Sequence, residues 1–124
     1  MILVVRHGDS AEAVKFATRA VELAPQIATF NETLAQAYAA AGQGAKAIDA
    51  MHTAIRLEPG ELKWQIRLAG LLVDAHQMDQ AAAILRPLDP QSPRVQRLAA
   101  PDRARLISLQ QVTGAIPTTA PAKG

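Results

Sequence analysis

Apolar and small residues recur along this chain on a ruler of 34. Ala13, Ala47 and Ala81 share one column; Val14, Ile48 and Ala82 share the next; Ala20, Ala54 and Leu88 share a third. Leu23 pairs with Leu57, Leu34-Ala35 with Leu68-Ala69, and Phe30 with Trp64, while Val4, Tyr38 and Leu72 align. Pro25, Pro59 and Pro93 punctuate the same frame at intervals of 34 residues. Repetition at this period marks a stacked supersecondary unit, whose apolar stripe is buried only by its neighbours.

Each unit is expected to be two antiparallel helices joined by a short turn. Small residues such as Ala35, Ala47 and Ala54 let the helices approach, and Leu34, Tyr38 and Met51 fill the space between them. Gly42 can take the left-handed conformation that ends a helix. Pro59 cannot continue a helix and marks the exit to the next unit. The copies fall at about residues 1–25, 26–59 and 60–93. The first is incomplete, with Ile2 to Arg6 the remnant of its first helix and Gly8 at the turn. Pro87 should stop the last paired helix near Arg86. Ser92-Pro93 then reads as an N-cap followed by proline at the first helical position. Residues 94–112 are expected to form a capping helical segment, broken or bent at Pro101, with Val95, Leu98, Leu106, Leu109 and Val112 as its stripe. Residues 113–124, rich in Pro, Thr and Ala, are expected to be a disordered tail after a domain spanning 1–112.

The columns resemble the tetratricopeptide repeat (TPR) family, whose 34-residue pattern is W-x2-L-G-x2-Y, then A-x3-F-x2-A, then P. The middle copy reads Asn31-x2-Leu34-Ala35-x2-Tyr38, Gly42, Ala47-x3-Met51-x2-Ala54 and Pro59. Only its tryptophan column departs, and Phe30, one position earlier, is expected to fill that space. The resemblance implies an all-α fold, a TPR-type α-solenoid of antiparallel helix pairs with about two and a half repeats and a C-terminal capping helix. It also implies a groove lined by the first helices of successive repeats, receiving a peptide or partner helix. Carried over column by column, the groove positions are Thr29, Glu32, Thr33, Gln36 and Ala40, then Lys63, Ile66, Arg67, Gly70 and Asp74. Lys63 and Arg67 sit where chaperone-binding members carry two cations that clamp a peptide's terminal carboxylate. Thr33 stands where that clamp has asparagine, so the implied preference reduces to acidic segments.

Composition narrows the classes. Aromatics are 3% of the chain and cysteines are absent, which excludes disulfides, thiolate metal sites and cysteine nucleophiles. No apolar run approaches the roughly 18 residues of a membrane span, so a soluble chain is expected, with the cytoplasm the favoured compartment. The alanine excess suits a bacterial source. Residues 1–62 hold five Lys/Arg and seven Asp/Glu, net −2, and residues 63–124 hold eight and four, net +4. Arg94, Arg97, Arg103 and Arg105 dominate the second figure but lack the stacking aromatics of a nucleic-acid site. No metal-ligand cluster or cofactor motif is present in the pattern, and neither a metal nor a cofactor is expected.

The opening Met1-Ile2-Leu3-Val4-Val5-Arg6-His7-Gly8 resembles the strand and Arg-His-Gly loop of histidine phosphatases. That chemistry needs a second histidine, further arginines and a general acid near His7. The other histidines, His52 and His76, fall on a second helix and at a turn in the repeat frame. The same frame makes Gly8 a turn residue, with Arg6 and His7 in the last turn of a helix. A non-catalytic protein-binding module is the leading expectation and the phosphatase the remote one. Between them stands self-assembly: Ile2, Leu3, Val4 and Val5 cannot all be covered by so short a remnant, and a second copy forming a homodimer would cover them.

Overall fold

The computed structural model describes residues 7–115, among which every regular element is a helix. In chain order they are α1 (His7–Leu23), α2 (Ala28–Ala40), α3 (Gly44–Leu57), α4 (Leu62–Asp74), α5 (Met78–Leu85), α6 (Pro93–Gln96) and α7 (Ala100–Thr113). The pairs α2/α3 and α4/α5 fall in the windows of the second and third copies. The chain divides into two compact units, Met1–Trp64 and Gln65–Gly124.

In the first unit α1 packs on α2 and α2 on α3. Ser10, near the start of α1, donates its hydroxyl to the Ala40 carbonyl at the end of α2 (3.3 Å), which fixes the antiparallel sense. It also satisfies one of the carbonyls left without a partner in a helix's last turn. The core is built mostly of alanine: Ala17, Ala28, Ala35, Ala47 and Ala54 are buried, with Leu34 and Met51 between them. Small side chains on facing helices allow close backbone approach, so one methionine and one leucine fill the gap.

The α2–α3 turn is a Schellman closure. Gly42 stands at φ +78°, its N–H reaches the Ala39 carbonyl, and the Gln43 N–H reaches that of Tyr38. The α4–α5 turn repeats it one period later, with Gln77 N–H on Leu72 and His76 N–H on Val73. There the left-handed residue is His76, at φ +61°.

The first copy departs from its expected form. His7 to Ser10 lie in α1, so Gly8 is helical rather than a turn, and the helix continues through His7 instead of closing there. No proline stands between His7 and Leu23. Once a helix is nucleated each residue adds a hydrogen bond, and one glycine, at about 1 kcal/mol, does not stop it.

In the second unit α5 ends at Leu85, with Arg86 as its C-cap, since Pro87 has no N–H to continue the ladder. Ser92 caps α6 by accepting the Val95 N–H, with Pro93 at the first helical position. The expected break at Pro101 lies earlier, before Ala100. Pro101 falls in the first turn of α7, where its missing N–H costs nothing. α7 packs on α5 through Leu106 and Leu109, whereas Val112, expected on the same stripe, is exposed. Gln110 takes its place: its buried amide donates to the carbonyls of Leu85 (3.1 Å) and Leu88 (2.6 Å). These acceptors lie on either side of Pro87, where a helical N–H is missing.

Candidate functional site

Helix α2 presents one open face. Thr29, Thr33, Gln36 and Ala40 are exposed, and their spacings of four, three and four put them on one side of a helix. Glu32, predicted to join them, is buried and accepts a hydrogen bond from the Gln36 amide. Thr33 turns its hydroxyl back to the Thr29 carbonyl (3.0 Å). The face is thus polar and short-chained, with Glu32 and Gln36 joined at its edge.

Helix α4 is buried on most of its circumference, which alters the predicted list. Ile66, 1% exposed, is a core residue, and Gly70 is buried as well. Lys63 and Arg67 are half-buried one turn apart, and Asp74 is exposed at the C-terminal end. The Lys63 ammonium stands over the Trp64 ring, 5.0 Å from its centroid. One turn after Arg67, the Arg105 guanidinium from α7 lies against Gly70, with Nη2 2.8 Å from where a Cβ would stand. The absence of a side chain at Gly70 makes that approach possible. Arg105 therefore adds a cation to this helix face that no periodicity in the sequence pointed to.

The opposite side of α2 carries a different feature. Asn31, Leu34 and Tyr38 line an open depression of about 360 Å³ with Lys46, Asp49, Ala50 and Thr53 of α3. Asn31 turns its amide away, donating to the carbonyls of Pro25 (3.3 Å) and Ile27 (3.2 Å). Phe30, expected to fill the tryptophan space, is half-buried and is not among the lining residues. In the next copy Trp64 is buried and its indole N–H donates to Glu58 Oε1 (2.8 Å).

Helix α1 leaves apolar surface open. Phe16 is 73% and Leu23 78% exposed, and Ala13 is exposed although its column mates Ala47 and Ala81 are fully buried. The predicted self-association edge, Ile2, Leu3, Val4 and Val5, lies outside the described residues, as does Arg6. His7 lies in helix α1. Among the described residues no group of three or more His, Cys, Asp or Glu is placed to hold a metal ion, and no helix is long and apolar enough to cross a membrane.

Comparison with known proteins follows the same lines. A tetratricopeptide repeat family model matches residues 39–101. No curated protein matches the chain. Among solved structures, the chain is similar to the Yersinia enterocolitica type III secretion chaperone SycD in complex with a peptide of the translocator YopD. The TM-score is 0.64 at 18% identity, over 85% of this chain and 82% of that one. The type III secretion translocator chaperone SycD on its own gives the same score and identity over 86% and 76%. At that identity the likeness is one of fold, an all-α arrangement of stacked helix pairs.

Proposed function

Since the chain belongs to the tetratricopeptide repeat family, we propose that it is a non-catalytic protein-interaction module that takes a peptide or partner helix on the open faces of its first helices. The open stripe of Thr29, Thr33, Gln36 and Ala40 on α2 carries this reading. The likeness to SycD, solved with a peptide of its translocator, supports it. Lys63 and Arg67 of α4, with Arg105 of α7 beside Gly70, favour an acidic segment by charge complementarity. Glu32, Ile66 and Gly70 are set aside as side-chain contacts, being interior, and Asp74 restricts the basic surface at its C-terminal end. The test is binding of peptides with acidic and with neutral C-terminal halves, measured by fluorescence anisotropy. An Ala40→Arg variant should lose both classes. Lys63→Glu with Arg67→Glu should weaken the acidic class about tenfold, in line with the few kcal/mol at stake in interfacial charge pairs. Unchanged affinity in the double variant removes the acidic preference, and unchanged affinity in Ala40→Arg removes the α2 face.

Self-association has its own supporting observation. Phe16 and Leu23 lie on one side of α1 with Ala13, and the counterparts of Phe16 and Ala13 one period later, Ala50 and Ala47, are buried. A second copy would cover this side. Phosphatase chemistry at His7 is not proposed: His7 and Gly8 lie within a helix rather than in a loop, and hydrolysis of a phosphate ester with a His7→Ala control should show no enzyme-dependent turnover.

A further inference from the structure

Helix α1 carries a second stripe beside the one it packs on α2. Among its described side chains the buried ones are Ser10 and Ala17, and Ser10 bonds the end of α2. Ala13, Phe16, Ala20 and Leu23 follow one another at spacings of three, four and three. At about 100° per residue they form a line about a quarter turn away from Ser10 and Ala17. Phe16 and Leu23 on that line are exposed, as is Ala13, while Ala20 is half-buried. One period later α3 has Ala47, Ala50 and Ala54 in the columns of Ala13, Phe16 and Ala20. All three are buried, and α3 packs on α2. The stripe on α1 is thus shaped for a helix neighbour, and it is continuous with the α1–α2 contact. Its sizes alternate: small, large, small, large. Reversed end to end, the same four positions read large, small, large, small, so the stripe is complementary to its own antiparallel copy.

Building on the self-association reading above, we infer that a second copy covers this stripe, with the two α1 helices antiparallel about a twofold axis level with Thr18. Phe16 then meets Ala20 of the second copy, and Ala13 receives its Leu23. The same contacts repeat on the other side of the axis, as in any isologous interface. No large side chain faces another, so the helices can approach closely. A parallel, in-register pair would instead stack Phe16 on Phe16 and leave Ala13 facing Ala13. Antiparallel is also the sense in which α1 packs on α2. Arg19 lies on the rim of the stripe near the axis, and its length carries the charge out to solvent on both copies. A contact carried by one helix of 17 residues, about 25 Å long, falls at the small end of interface sizes, below roughly 1,200 Å². The dimer is therefore weak and forms as concentration rises.

The chain has no cysteine, so introduced thiols report the register directly. Full-length Ala13→Cys and Leu23→Cys chains, each first shown by sedimentation equilibrium to dimerise, are treated with a short bismaleimide separately and as a mixture. The mixture should cross-link. Neither chain alone should, because positions 13 and 23 each lie about 15 Å along the helix from their own copy. An exchange of sizes gives a second readout that needs no cysteine, and it decides alone if either thiol variant fails to dimerise. Ala20→Phe sets two large side chains against each other, and Phe16→Ala removes one side of each pair. Each should weaken the dimer about tenfold. The two changes together restore the large–small pairing and should recover most of that loss, with helicity unchanged throughout. A parent chain that is monomeric at every concentration overturns self-association, and this arrangement with it. A dimer that cross-links within either thiol variant alone, that does not cross-link in the mixture, or that gains nothing from the paired exchange overturns the antiparallel register and leaves self-association standing.

Discussion

His76 occupies the column in which the preceding repeat has Gly42, and takes the same left-handed conformation at φ +61°. A residue with a Cβ is strained there by roughly 1 kcal/mol relative to glycine. His76→Gly should therefore raise stability by up to about 1 kcal/mol, read from urea denaturation midpoints at constant slope. Gly42→Ala should lower it by a similar amount, about 1 kcal/mol, although the new Cβ would meet nothing within 4 Å. Gln110 offers a second test. Its amide donates to two carbonyls around Pro87; Gln110→Leu leaves the Leu88 carbonyl without that donor, while Leu85 keeps the Leu88 N–H, at a cost of about 1–3 kcal/mol. Hydrogen exchange should show the loss first at α5 and α7. His76 in a turn was legible from spacing alone. The role of Gln110 was not, because it depends on where α7 crosses the end of α5.

At the scale of the helix, α4 shows what a 34-residue ruler can and cannot say. The ruler places Leu62–Asp74 as a first helix, and its prolines and glycines locate the turns, because those residues act locally on the backbone. Assigning Ile66 and Gly70 to an open face assumed that one side of the helix meets solvent. Burial of both follows from packing on most sides, which no single-helix pattern encodes. Gly70 has a further role as a seat for Arg105. Gly70→Ala should be neutral or stabilising by up to about 1 kcal/mol, since alanine favours helix and only the flexible end of Arg105 has to move. The same change should weaken acidic peptides if Arg105 takes part in their binding. Comparing the melting midpoint with peptide affinity in one variant separates the two effects. Gly8 shows the opposite: a glycine in the right column does not by itself end a helix, since it costs only about 1 kcal/mol within one.

For the whole molecule, the unsettled surface is that of α1. Exposed Phe16 and Leu23 each forgo roughly 1.5–3 kcal/mol available on burial, a gain that a second copy covering them would recover. Sedimentation equilibrium should show a concentration-dependent dimer for the parent chain. Phe16→Glu with Leu23→Glu should yield a monomer of unchanged helicity, and Val4→Ser with Val5→Ser should weaken association if residues 2–5 join the interface. A parent chain that stays monomeric at every concentration rejects self-assembly. At the other end α7 supplies the cover, and Leu106, one period beyond Leu72, is fully buried in it. The sequence showed a stripe there but not its phase, because Pro93 and Pro101 each restart a helix and a single ruler does not carry through them.

Trp64 is the chain's one tryptophan, buried at the first turn of α4 with its N–H held by Glu58 and its ring beneath Lys63. Nature has thus placed a single optical reporter in the molecule. Its emission colour registers the first unit, Met1–Trp64, while far-ultraviolet ellipticity registers helices throughout. If the two signals change together on heating, the units melt as one cooperative body. If the colour shift lags or leads the ellipticity, the surroundings of Trp64 melt separately from the other helices.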